Sequence, residues 1–257
     1  MKKKLFIGLI AILLVTGSSA LASHAWGNYH WARTTSTFTL KLGDNVSGTW
    51  DSVLRSVSSD WSASTVLDTQ VVSGLSNPRN CKPVWGRIEV CNNKYGNNGW
   101  LGIAQVWLTG GNHITQAVTK LNDTYFNTPT YNTLAWRNLV MCQEVGHTFG
   151  LDHQDEDFYN ANLGTCMDYT SNPSTNQHPN AHDFAMLEAI YSHIDEGSTL
   201  SQTTAKTGNK IDGKNDNLDD SSSWGKVVGK DKKGRDSVFE KDLGKGEKVV
   251  THVFWVE

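Results

Sequence analysis

The eleven residues QEVGHTFGLDH, which begin at Gln143, constrain the fold more than any other part of the chain. Gln143 and His147 are four residues apart, so on a helix they share one face, with Glu144 beside them. Gly150 can adopt the left-handed conformation that ends a helix, and the chain can then turn so that His153 approaches from below. The stretch therefore predicts that the side chains of Gln143, His147 and His153 meet at the end of a helix, with the carboxylate of Glu144 beside them.

Apolar periodicity predicts an α/β (α+β) main domain. In the helix expected at residues 131–149, Met141, Val145 and Phe149 lie on one stripe and would face a core. Two other helices are predicted at residues 48–64 and 181–193. Alternation and β-branched residues predict strands at residues 35–42, 66–72, 102–108 and 113–121.

The first 22 residues are typical of a cleaved signal peptide. Lys2, Lys3 and Lys4 precede an apolar run that is too short to span a bilayer, and Ala20-Leu21-Ala22 supplies a small-x-small cleavage pattern. A retained membrane anchor is the alternative. Cleavage predicts a secreted chain, extracellular or periplasmic, with no membrane span. The formal net charge of −3 becomes more negative when these lysines are removed, which argues against nucleic acid as a partner.

The C-terminal part changes in composition. The main domain is predicted at residues 23–196, and residues 197–223 are polar with almost no apolar side chains, as in a linker. Residues 224–257 read as three short strands with Gly-rich charged turns. We expect a small β appendage that docks on the main domain, because it is too small to be stable alone.

The chain has four cysteines, at positions 81, 91, 142 and 166. An even number in an exported chain predicts two disulfides. Four cysteines allow three pairings, and the sequence alone does not choose between them. We favour Cys81–Cys91, because it closes a short local loop.

The opening stretch, taken with residues further along the chain, resembles the metzincin metalloproteases, with matrixins as the nearest subgroup. Their pattern is HExxHxxGxxH followed by a Met-turn. Glu144, His147, Gly150 and His153 match it, and CMDYT, which contains Met167, resembles the Met-turn. The segment AHDFAMLEAIYSH resembles the last helix of matrixin catalytic domains.

The resemblance implies a metzincin-like domain with a twisted mixed sheet and a Zn²⁺ site. Gln143, His147 and His153 would be the metal ligands, and Glu144 would be the general base. In metzincins the Met-turn lies under the metal-binding helix. That placement would bring Cys166 close to Cys142 and implies a disulfide between them.

Gln143 departs from the pattern, since the family has histidine there. Its amide oxygen can reach the same point, but zinc prefers imidazole nitrogen, so affinity should fall. Tyr169 gives the Met-x-Tyr order of astacins and serralysins, which implies an extra ligand that can also stabilise an oxyanion; a core tyrosine is the alternative.

Several other residues are weaker candidates. His113 lies where the resemblance places an edge strand beside the substrate, although a surface role is the alternative. His178 and His182 follow the Met-turn and could be ligands, surface residues or part of a helix cap. Asp155 could orient a ligating imidazole or be solvated.

These features predict a secreted zinc-dependent metalloendopeptidase that acts, as a monomer, on protein or peptide substrates. A binding or adhesion protein that kept a metzincin fold and lost its chemistry is the alternative, and Gln143 motivates it. The 10 tryptophans and the C-terminal strands would also fit a carbohydrate-binding module. Metal content and hydrolysis of an unfolded protein would separate enzyme from binding protein.

Overall fold

The computed structural model describes residues 24–200 and 218–257. The predicted signal peptide, residues 1–22, and most of the predicted linker lie outside these ranges. Within them, no helix has both the length and the apolar character that crossing a bilayer requires.

The described residues form nine strands, four α-helices and two short 3-10 helices. The strands are β1 (His30–Trp31), β2 (Phe38–Asn45), β3 (Leu67–Ser73), β4 (Ile88–Asn93), β5 (Trp100–Thr109), β6 (His113–Asn122), β7 (Lys226–Lys230), β8 (Asp236–Gly244) and β9 (Glu247–Trp255). The α-helices are α1 (Thr49–Trp61), α2 (Asp123–Phe126), α3 (Leu134–His147) and α4 (Ala181–Ile190). The 3-10 helices are Pro173–Thr175 and Ser221–Ser223.

All nine strands belong to one mixed sheet in the order β3-β2-β4-β6-β5-β9-β8-β7, with β1 paired to the start of β6. Pairing is parallel from β3 to β6 and antiparallel from β6 to β7. The structure therefore has the α/β class that the sequence predicts, with a mixed sheet and few helices.

The three predicted C-terminal strands are present, and they join the sheet of the main domain directly. β9 pairs antiparallel with β5 along most of its length, and β8 and β7 continue the same sheet outward. Val249, Val250, Val253 and Phe254 of β9 are at most 2% exposed. Three short strands bury too little apolar surface alone, and joining the open edge of β5 solves this problem. The boundaries between domain, linker and C-terminal segment remain predictions.

Two further strands were not expected. β4 lies in an Asn- and Gly-rich region, yet its residues are almost all buried between β2 and β6. β1 has only two residues and pairs His30 with His113 of β6. The expected edge position of His113 is wrong as well, because at this residue β6 pairs with β1 on one side and with β5 on the other.

The core lies between the sheet and the packed pair α1 and α3. Met141, Val145 and Phe149 are fully buried, as the predicted stripe requires. Trp61 of α1 fixes the pair, because its indole N–H donates to the carbonyl of Cys142 at 3.2 Å and its ring meets that of Phe149 edge-on.

Both favoured disulfides, Cys81–Cys91 and Cys142–Cys166, are present. The second holds the segment with Met167 against α3. Gly146 allows this close approach, since a Cβ at that position would lie 2.6 Å from the sulfur of Met167. The Met-turn expected from the resemblance is therefore adjacent to the helix that carries the candidate ligands.

Candidate metal centre

The end of α3 brings His147 and His153 together. Gly150 has a φ of +96°, and a Cβ there would lie 2.0 Å from the backbone oxygen of Tyr29, so only glycine fits. The chain turns at this point, and the Nε2 atoms of His147 and His153 lie 3.1 Å apart. Two nitrogens bound to one tetrahedral zinc at their usual bond lengths are about 3.3 Å apart. The predicted histidine pair has the spacing of metal ligands.

Each imidazole of this pair is oriented through its other nitrogen. His147 Nδ1 donates to the carbonyl of Leu151 at 2.9 Å, and His153 Nδ1 donates to Glu156 Oε1 at 3.2 Å. These bonds leave both Nε2 lone pairs free, the arrangement usual for histidines that bind metal. The carboxylate of Glu156 is nearest to His153 Nδ1, and that of Asp152 lies 3.6 Å from it, whereas the backbone of Asp155 forms an isolated β-bridge with the backbone of Asp168.

A third histidine completes the group, and it comes from β9. One ring nitrogen from each of His147, His153 and His252 lies within 4.8 Å of the others. The ring of His252 is centred 3.9 Å from that of His147 and 4.7 Å from that of His153.

The sequence analysis missed His252, although a signal exists. Strand side chains alternate between faces, so His252 shares a face with Val250 and Phe254, which are both buried. A histidine on the core face of a strand is unusual and points to a functional or hydrogen-bonded role.

Gln143 lies one helical turn before His147, as expected. Its side chain is fully buried, and among the described residues neither amide atom has a hydrogen-bond partner. Such unpaired buried groups are uncommon and cost free energy. The position of Gln143 is compatible with a ligand role, which stays a prediction.

Glu144 is also fully buried. Its Oε2 lies 3.2 Å from His252 Nδ1. Burial raises the pKa of this carboxyl to about 8, an effect that the neighbouring His147 partly offsets. The carboxyl can therefore exchange a proton near neutral pH.

Tyr169 contacts the site through His252. Its hydroxyl lies 3.0 Å from His252 Nε2, and its ring packs between those of His153 and Phe158. Burial raises the pKa of Tyr169, so the phenol remains protonated. Both nitrogens of His252 thus have partners, and one of them would have to exchange its partner for a metal ion.

The three imidazoles are uncharged at neutral pH. Burial, followed by the proximity of His252, lowers the pKa of His153 to about 3 and that of His147 well below its usual value. Burial alone lowers the pKa of His252 to about 3. Neutral imidazole is the form that binds metal, so three nitrogens beside a carboxylate suit zinc.

The site is closed. His147 and His252 are 1% exposed, Tyr169 is 2% exposed, and the largest value, 8%, belongs to His153. Trp26 covers the group, with its ring centred 5.7 Å from that of His147.

The remaining candidates lie elsewhere. His178 is exposed and pairs with Asp60, and His182, at the start of α4, stacks on His24. His113 contacts Asp195.

Comparison with known proteins gives a distant likeness. No family model matches the sequence, and no curated protein matches it significantly. Among solved structures, the chain is similar to high choriolytic enzyme 1, a hatching-enzyme zinc protease from the medaka fish Oryzias latipes, at 8% identity over 63% of this chain and 94% of that one, with a TM-score of 0.35. It is also similar to myroilysin, at 11% identity over 66% and 95% of the two chains, with a TM-score of 0.31. Likeness this distant assigns no role to any residue here.

Proposed function

We propose that the mature chain is a secreted zinc-dependent metalloendopeptidase of the metzincin type, which hydrolyses peptide bonds in protein or peptide substrates. The observation that carries the proposal is the meeting of three buried histidines, His147, His153 and His252, beside the buried carboxylate of Glu144. Three protein ligands that leave one position open are characteristic of catalytic zinc.

His252 is proposed as the third ligand in place of Gln143. Imidazole nitrogen is a better donor for zinc than an amide oxygen. Helix α3 carries glutamine where the metzincin pattern has histidine, and β9 supplies an imidazole at the same site. Gln143 would then remain as a buried amide beside the metal, available as a weak extra ligand.

The roles of the other residues follow from their positions. A bound zinc ion would lower the pKa of a water molecule and polarise the scissile carbonyl. A zinc ion beside Glu144 would favour its ionised form, which would accept a proton from the attacking water and pass it to the leaving amine. Once His252 binds the metal instead of the hydroxyl of Tyr169, that hydroxyl would be free to donate its hydrogen to the developing oxyanion.

Because the site is closed, a substrate can reach it only if part of the protein moves. The free-energy cost of that movement indicates which part stays in place. Withdrawing β9 would expose four buried apolar side chains, Val249, Val250, Val253 and Phe254, at roughly 6–12 kcal/mol. That is comparable with the whole stability of a domain, about 5–15 kcal/mol. β9 would therefore stay in place during catalysis, and the substrate would enter on the side covered by Trp26.

A second arrangement is possible because every site residue is buried. In it, β9 would be an inhibitory strand, called a lock below, and the side chain of His252 would occupy the position of substrate or water. The two arrangements predict opposite results when His252 is removed, so one set of variants separates them.

The experiment measures bound zinc per chain and hydrolysis of a fluorogenic unfolded protein, using residues 23–257. We expect His252→Ala to lose one equivalent of zinc and all activity relative to the wild type. His178→Ala is the matched control, because its side chain is 57% exposed and lies outside the site, and it should change neither quantity. Retained zinc with increased hydrolysis in His252→Ala would identify a lock. If the wild type neither hydrolyses protein nor binds zinc through His147 and His252, the proposal of an enzyme is refuted. The alternative of a binding protein then remains.

A further inference from the structure

A second group of histidines, which shares no member with the group of His147, His153 and His252, converges on Asp195. The Nε2 atoms of His30 and His113 each lie 3.3 Å from Asp195 Oδ1, and that of His193 lies 3.5 Å from it. The Nε2 atoms of His30 and His193 are 3.1 Å apart. These separations are close to the roughly 3.3 Å between neighbouring donors on a tetrahedral zinc ion.

The backbone holds this group in place. Asp195 Oδ2 accepts the backbone N–H of Arg33 at 3.0 Å, and the backbone N–H of Asp195 donates to the carbonyl of Arg33 at 2.9 Å. The pairing of β1 with β6 places His30 opposite His113. His193 follows the end of α4, so three separate parts of the chain contribute.

The orientation of His30 indicates what the group can bind. Its Nδ1 donates to the carbonyl of Asn28 at 2.7 Å, so neutral His30 presents only a lone pair at Nε2. That lone pair faces a second histidine nitrogen and an anionic oxygen. A cation among these atoms would satisfy all of them, and a hydrogen bond from the opposite side of the imidazole is the usual support for a metal ligand.

Exposure differs between the group's members. His30 is 3% exposed, whereas the side chains of His113 and His193 are 35% and 50% exposed. One side of the group is therefore fixed in the protein, and the other is open to ions from solvent.

We propose that His30, His193 and Asp195, with His113 as the fourth donor, form a second zinc site. Three imidazoles and one carboxylate suit Zn²⁺ and related divalent transition metals, and four protein donors are characteristic of a structural rather than a catalytic site. The metal joins β1, the start of β6 and the segment after α4. Because such a site exists only in the folded chain, zinc bound there stabilises the fold.

The test titrates the metal-free mature chain with zinc and compares His193→Ala and Asp195→Asn with the wild type. Asparagine retains an oxygen that can accept the N–H of Arg33, so Asp195→Asn removes the charge while preserving that contact. His178→Ala is the control, because it too is an exposed histidine paired with an aspartate. We expect two zinc equivalents in the wild type and in the control, and one in each of the other variants.

A second readout is thermal. In a His252→Ala background, free zinc about 100-fold above its dissociation constant should raise the Tm by about 5–10 °C, and adding His193→Ala should remove that rise. If zinc stoichiometry and affinity are unchanged in both His193→Ala and Asp195→Asn, the proposal is overturned. The contacts of the histidines with Asp195 are then ordinary ion pairs. One zinc equivalent that is lost in His193→Ala but kept in His252→Ala would uphold this site and refute the first.

Discussion

Exchanging the histidine between β9 and α3 is the most direct perturbation of the proposed metal centre. If His252 supplies the ligand that Gln143 fails to provide, His252→Ala should weaken zinc binding, and adding Gln143→His should restore it. Position 143 is suitable for the added histidine, because residues 143 and 147 share a face of α3 and Gln143 is fully buried there.

The expected size of the effect follows from the number of ligands. Structural zinc sites with four ligands contribute about 10–16 kcal/mol, or about 2.5–4 kcal/mol for each ligand. Losing His252 should therefore reduce zinc affinity by about two to three orders of magnitude. In the double variant we expect affinity to return to within about tenfold of the wild type.

The assay is competition with a chromogenic chelator, performed in a His193→Ala background so that only the first site is titrated. Gln143→Ala alone should change the affinity by less than about tenfold. A fall in Gln143→Ala as large as that in His252→Ala would mean that Gln143 is the ligand, as the sequence predicts. If Gln143→His recovers none of the affinity lost in His252→Ala, the two positions do not substitute for each other and the reasoning is wrong.

Three other outcomes are expected. Glu144→Gln should reduce hydrolysis by about two to four orders of magnitude while zinc stoichiometry stays the same; an unchanged rate would place the activity elsewhere. Tyr169→Phe should lower kcat by about 10²–10³-fold with zinc still bound, and a change confined to KM would contradict a role in the transition state. Gly150→Ala should lower the free energy of unfolding by more than about 1–3 kcal/mol, because strain at positive φ adds to the clash with Tyr29. Urea unfolding measures this, with Gly197→Ala as control because no atom lies within 4 Å of its Cβ position; equal midpoints would refute the argument.

Local chemistry explains what could be predicted. The stripe on α3, the turn at Gly150 and the approach of His147 to His153 depend on neighbours within a few residues, so the sequence contains their cause. The Cys81–Cys91 loop is likewise local. The pairing of Cys142 with Cys166 required the family resemblance, because the residues are 24 positions apart and spacing alone allowed other partners.

Pairing between distant strands explains what could not be predicted. β4 reads as an Asn- and Gly-rich region in the sequence, and it is a strand because β2 and β6 satisfy its backbone on both sides. β9 could be recognised as a strand but not as the partner of β5, since alternation fixes which side chains share a face and leaves the neighbouring strand open.

The sequence by itself predicted a helix end that brings His147, His153 and the carboxylate of Glu144 to one point, and it showed glutamine at position 143, where the metzincin pattern has histidine. Only the tertiary structure placed His252 there, 108 residues along the chain from Glu144, and gathered His30, His113 and His193 around Asp195. The physical reason is the range of the interactions. A helix fixes the geometry of residues four apart through its own hydrogen bonds, whereas residues from different strands meet only after the sheet has selected its order and register.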